Sequence, residues 1–149
     1  MGGKWNSKGF TLIELLITLV VIGVIAAIAI PNLVSAIDRG KQKRTLADMR
    51  TIGTAVEAYA VDNSRYPVAS DTATLWAALT QGYLRPMTHN DGWDHEFLID
   101  AAATGYTISS TGKDGVDSGC VIGVKTTQFT EDICFSHGGF IQYPEGKQN

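Results

Sequence analysis

The residues with chemistry to offer are few and scattered. Glu14 is a lone carboxylate inside an apolar run, Cys120 and Cys134 are the only cysteines, and His89, Asp91, Asp94 and His95 surround Trp93. Ser136 precedes His137, but adjacency in sequence is not the nucleophile–base geometry of a hydrolase, whose imidazole is oriented by a third group. No Gly-x-Ser-x-Gly elbow, phosphate-binding loop or His-Glu-x-x-His pair occurs, so the chain does not read as an enzyme. The cluster around Trp93 reads as a small polar site or as a solvated turn, and the turn is preferred. A structural zinc on the cysteines would draw on His137, yet it needs four ligands at closer paired spacing. In an exported domain a disulfide between Cys120 and Cys134 is the expectation. It would close a loop of 15 residues counted inclusively, contributing about 3 kcal/mol in the chain-entropy model.

Glu14 is the most informative of these groups. Of the 21 residues from 10 to 30, 18 are apolar or glycine. As a helix this run is about 31 Å long, close to the roughly 30 Å hydrocarbon core of a bilayer. A membrane span is one reading. A secretory signal cut after Val34-Ser35-Ala36 is another, opposed by the length of the run and the carboxylate inside it. An ionised Glu14 at membrane depth costs about 2.5 kcal/mol or more unless it is paired. No lysine or arginine lies within residues 10–32 to pair it. A cut before Phe10 would create an α-amino cation, within reach four residues away on the same helix or on a neighbouring chain. Protonation of the carboxyl near the headgroups is the other resolution, and both stay open here.

The elements that position these groups follow from the pattern. Pro31 lacks an N–H for the carbonyl of Ala27, so it should loosen or kink the helix without necessarily ending it. Leu46, Met49, Ile52, Val56, Tyr59 and Ala60 keep a three-and-four spacing, the mark of one apolar helical stripe. Turn-forming Asp62-Asn63-Ser64 ends the helix. A short helix is predicted over 74–79, and strands over 96–99, 106–109, 121–125, 133–135 and 140–142. Glycine-rich turns between them favour hairpins and a small antiparallel sheet. The fold class is therefore α+β: a long N-terminal helix, its first half membrane-spanning, packed against a C-terminal antiparallel sheet. The net charge of −3 argues against nucleic acid as a partner. The basic cluster from Arg39 to Arg44 reads as a solvated helix face rather than a DNA or lipid contact. Each flank of the span carries about +3 by formal count, so charge alone does not orient it.

The segment KGFTLIELLITLVVIGVIAAIAIP, residues 8–31, resembles the N-terminal signal and helix of type IV pilins and type II secretion pseudopilins. Gly9 before Phe10, Glu14 as the fifth residue after the cut, Gly23 and Pro31 carry the resemblance. It implies cleavage between Gly9 and Phe10 by a prepilin peptidase, N-methylation of Phe10, and pairing of Glu14 with the α-amino group of an adjacent subunit. It divides the chain into a leader (1–9), a membrane half of the helix (10–30), an exposed half (31–62) and a pilin-like domain (63–149). The leader is expected in the cytoplasm, with the domain outside. The subunit is expected in the bacterial inner membrane before assembly and in a periplasmic or extracellular homopolymeric filament afterwards. Its expected partners are an inner-membrane assembly platform and minor pilins or pseudopilins.

Downstream, YAVDNSRYP, Asp91-Gly92-Trp93 and YTISSTGKDG are similar to the helix end, first turn and second strand of major pseudopilins, with Gly92 where proline is typical. That resemblance implies a calcium site in the last loop, with Asp114 and Asp117 as carboxylates and Thr111 offering a carbonyl. Lys113 opposes it, and two carboxylates leave most of a six- to eight-oxygen shell to carbonyls and water, so an ordinary glycine-rich turn is the preferred reading of this loop beside the calcium site. After residue 119 the chain departs from that branch: Cys120, Cys134 and the glycine-rich tail are more similar to type IVa pilins. Both filament systems therefore stay open. The alternative of a different kind is a single-span anchored binding domain or enzyme that does not polymerise.

Overall fold

The computed structural model describes residues 9–146 and Gln148, so all of the expected leader 1–9 except Gly9 lies outside the described residues. The chain divides into two compact units, Met1–Ala36 and Ile37–Asn149. Helix α1 (Leu12–Asn63) runs through both and includes Pro31. Pro31 does not end the helix. Next to it, the Asn32 side-chain amide donates to the Ile28 carbonyl at 3.1 Å. The helix closes with the Asn63 amide donating to the Tyr59 carbonyl at 2.9 Å.

In the second unit, α2 (Thr72–Leu79) starts at Asp71, whose carboxylate accepts from the Thr74 N–H at 2.7 Å. This N-cap satisfies one of the donors that a helix start leaves free. Five strands follow: β1 (Leu98–Ala102), β2 (Gly105–Ser110), β3 (Val124–Thr126), β4 (Ile133–Ser136) and β5 (Gly139–Pro144), in the sheet order β1-β2-β4-β5-β3. All five predicted strands exist, with shifted ends. The sheet is mixed rather than antiparallel, because β3 pairs parallel with β5, Val124 opposite Gln142. The reason lies in residues 111–123. They do not turn back as a hairpin but carry the chain across to the outer edge of β5, and a crossover of that kind permits a parallel pair.

The apolar stripe of α1 closes the core. Met49, Ile52, Ala55 and Val56 are buried with Trp76, Leu79, Ile99, Ile108, Ile133 and Phe135. A Cβ at Gly53 would overlap the Phe135 ring, so glycine there permits the close approach of helix and sheet. Two carboxylate oxygens on the same helix reinforce it: Glu57 accepts from the hydroxyls of Tyr106 (3.0 Å) and Tyr66 (3.2 Å).

Candidate functional site

Three groups of residues matter. The first is the start of α1. Thr11 stands before the first helical turn, and its N–H and hydroxyl donate to the Glu14 carboxylate at 2.9 and 2.6 Å. The Glu14 N–H returns a bond to the Thr11 hydroxyl at 3.3 Å. This is a capping box, Thr-x-x-Glu ahead of an apolar run, which secures orphan donors at a helix start. The same carboxylate is therefore a local cap within the single chain. Beyond it the helix is bare: its large apolar residues from Phe10 to Ile37 are between 45% (Val34) and 82% (Leu12) exposed. Such a surface is stable only against lipid or other apolar helices.

The second group is the turn at Trp93, and it is not a solvated turn. Asp91 is 2% exposed. One of its oxygens accepts from the N–H groups of Trp93 (2.8 Å) and His95 (3.0 Å), the other from the Ser110 hydroxyl at 2.6 Å. His95 Nδ1 donates to the Gly112 carbonyl at 2.9 Å. The Gly92 N–H donates to the Thr45 hydroxyl on α1 at 2.9 Å, and a Cβ at Gly92 would overlap the Lys41 carbonyl. The turn is thus a buried latch onto the helix, closer than a proline ring would allow. Asp38 completes it. At 5% exposure it accepts from the Trp93 indole N–H (3.2 Å) and from Lys113 (2.8 Å). Burial opposes its charge, but Lys113 and Trp93 outweigh that and hold the carboxyl below the ordinary aspartate range.

The third group is the loop after β2. Cys120 and Cys134 are joined by a disulfide, with Cα atoms 5.9 Å apart, which removes the zinc reading. Asp114 and Asp117 each turn one oxygen back to a nearby backbone N–H, of Val116 (3.1 Å) and Gly119 (2.9 Å). As placed, no group of three His, Cys, Asp or Glu side chains among the described residues stands ready to hold a metal ion. The loop nevertheless has a carboxylate the sequence did not reveal. Asp132, 1% exposed, accepts from the Ser118 N–H at 2.7 Å, while its other oxygen is buried without a partner among the described residues. Burial, and then the charges of Asp117 and Asp114, push its carboxyl above the ordinary range. Asp117 and Asp114 are near enough for their charges to reach Asp132, and carboxylates are the donor type that a hard cation takes, but as placed the three do not converge on one point. Lys113, expected to oppose a cation, is turned away onto Asp38.

Ser136 and His137 do not form a nucleophilic pair. The Ser136 hydroxyl donates to the Tyr106 carbonyl at 2.5 Å, so the 2.7 Å contact with His137 Nδ1 has the imidazole as donor.

Residues 32–122 match the sequence model described as type II secretion system (T2SS), protein G. The chain belongs to that family. Residues 6–30 match the prokaryotic N-terminal methylation motif, the segment that carries Gly9, Phe10 and Glu14. The type II secretion system core protein G of Pectobacterium carotovorum subsp. carotovorum is 29% identical over 114 residues, 74% of this chain and 72% of that protein. The core protein G of Klebsiella michiganensis is 28% identical over 127 residues, 76% of this chain and 88% of the relative. That of Vibrio cholerae serotype O1 is 26% identical over 128 residues, 76% and 86% respectively. No solved structure matches the chain. The choice left open between filament families thus falls to the type II secretion pseudopilins, in spite of the cysteines. Cys120 lies within the protein G match and Cys134 beyond it. Among the groups that hold this pseudopilin's helix start and loops in place, the roles of Thr11, Asp38 and Asp132 are not evident from the pattern of the whole sequence. Only Thr11 had a local signal, the capping-box spacing to Glu14.

Proposed function

We propose that this pseudopilin is cut between Gly9 and Phe10 by a prepilin peptidase, methylated on Phe10, and polymerised from the inner membrane into a helical filament of the secretion machine. The bare apolar helix carries this reading: among the described residues none covers the large apolar side chains of 10–37, and copies of the same helix would. Within such a bundle the Glu14 carboxylate, a cap in the single chain, would meet the new α-amino cation of a neighbour. The charges cancel where water is absent, which fixes register as well as energy. Assembly platform and minor pseudopilins are the partners this reading requires. Intact mass spectrometry of filament material tests it. A mature chain starting at N-methylated Phe10 is expected, and a terminus at Ile37 would overturn the proposal.

Calcium belongs to the same reading. Asp114, Asp117 and Asp132 would supply carboxylates and Thr111 a carbonyl. The ion would supply positive charge that lets all three acids stay ionised. On this chain's side, the disulfide and the Ser118 N–H hold the loop over Asp132.

A further inference from the structure

The basic cluster on α1 presents an outward charge that counting along the sequence conceals. Asp38, the one acid of this flank before residue 44, points into the domain and is held by Trp93 and Lys113. Gln42, Thr45 and Met49 are buried on the same side of the helix. At about 100° per residue, Arg39, Lys43 and Arg44 fan across the opposite, exposed side. Among the described residues Arg44 alone of these three has an acidic partner, Asp48 at 3.4 Å. The bare apolar surface of α1 does not stop at residue 30 but continues through Leu33 (61% exposed), Val34 and Ile37 (51%). From residue 10 to residue 37 a helix rises about 42 Å, against roughly 40–45 Å for a bilayer with its headgroups. The first basic residue therefore follows the apolar surface at the outer edge of the headgroup layer, with the lipid phosphates within reach of a long side chain.

We propose that Arg39, Lys43 and Arg44 bind anionic phospholipid headgroups on the membrane face from which α1 emerges. Continuity with the apolar surface selects this occupant over nucleic acid or a second copy. Arginine pairs with phosphate through a planar fork, and long basic side chains next to a span reach for the headgroup layer. The inference requires only that α1 enters a bilayer, so it survives even if the subunit does not polymerise.

The test uses the full chain in nanodiscs of pure phosphatidylcholine or with about one-third phosphatidylglycerol. The rate of acylation of Lys43 is read by mass spectrometry. Lys43 should react at least threefold more slowly with phosphatidylglycerol present. Molar salt, which shortens screening to about 3 Å, should restore the rate. The Arg39→Gln/Arg44→Gln variant, altered only on an exposed face, should lose most of the difference between the two lipids. Equal rates in both discs would overturn the proposal. So would protection that follows the number of protein copies per disc, or protection given by added duplex DNA without regard to lipid.

Discussion

Residues 10–36 and residues 37–149 of this pseudopilin solve the burial problem in opposite ways. The second unit covers its own apolar surface: Met49, Ile52 and Val56 lie against Ile108, Ile133 and Phe135. Two of its buried charges are answered from within, Asp38 by Lys113 and Asp91 by Ser110 and two backbone donors, while Asp132 keeps one oxygen without a partner among the described residues. Among the described residues the first unit covers none of its large apolar side chains, and its one carboxylate is answered only by Thr11 at its own helix start. One region is complete as a single chain, while the other must be completed by lipid or by copies of itself. Changes in the first should thus alter assembly without altering folding, and changes in the second should do the reverse.

The largest effect is expected at Glu14. Glu14→Gln keeps the side-chain length and, since glutamine also closes a capping box, keeps the helix start. Only the charge is lost. Few or no filaments should be sheared from cells, while total protein by immunoblot and the melting of the folded domain stay unchanged, because distant sites seldom couple. Normal filaments from the variant would remove the charge pairing, and a destabilised domain would break the contrast between the regions.

Reducing the Cys120–Cys134 bond should act only on the second unit. A loss of about 3 kcal/mol is expected from loop-closure entropy, read as a lower denaturant midpoint with processing at Gly9 unaffected. Unchanged midpoints would show that the loop is held by its hydrogen bonds alone. Calcium is expected to act next, through the same loop. At a hundredfold excess over its dissociation constant it should add about 2.7 kcal/mol, and Asp132→Asn should abolish that gain. Without calcium, Asp132 weakens the fold as it ionises. Its folded-state pKa is raised, so stability falls as pH climbs from the ordinary aspartate value of about 3.9 through the raised one. Identical melting curves with calcium and with chelator would take the metal out of the account.

What was legible in the sequence was whatever a local pattern encodes. The stripe from Leu46 to Ala60 marked the helix face, and glycine-rich turns bracketed β2, whose Tyr106, Ile108 and Ser110 point inward. The edge position of β3 was not encoded locally, because its partner β5 lies beyond another hairpin and nothing in Val124–Thr126 names it. Asp38 looked like one charge among five on a helix. Its burial depends on Trp93 and Lys113, 55 and 75 residues away. Asp132 was hidden for the same reason, since Ser118 and the disulfide bring it under the loop. Gly9, Phe10 and Glu14, in contrast, need no tertiary partner to be recognised, which is why the N-terminal methylation motif that carries them was the clearest part of the chain.

The smallest expected effect is at Asp38, and it tests whether the latch belongs to the self-sufficient region. Asp38→Asn keeps the size and can still accept from the Trp93 indole, but it removes the negative charge from a buried site and leaves Lys113 unpaired. Lys113 is itself nearly half exposed, so water recovers part of the loss, and a destabilisation of about 1 kcal/mol is expected. The pH dependence identifies the cause. A carboxyl whose pKa is depressed in the folded state contributes its full stabilisation above the unfolded value of about 3.9. That contribution fades as pH falls through the depressed value. Wild type and variant should therefore differ at pH 7 and converge in acid, with the Glu14→Gln chain following the wild type throughout. A gap that stays constant into acid would mean that the substitution disturbed packing beneath Trp93, rather than the ion pair with Lys113.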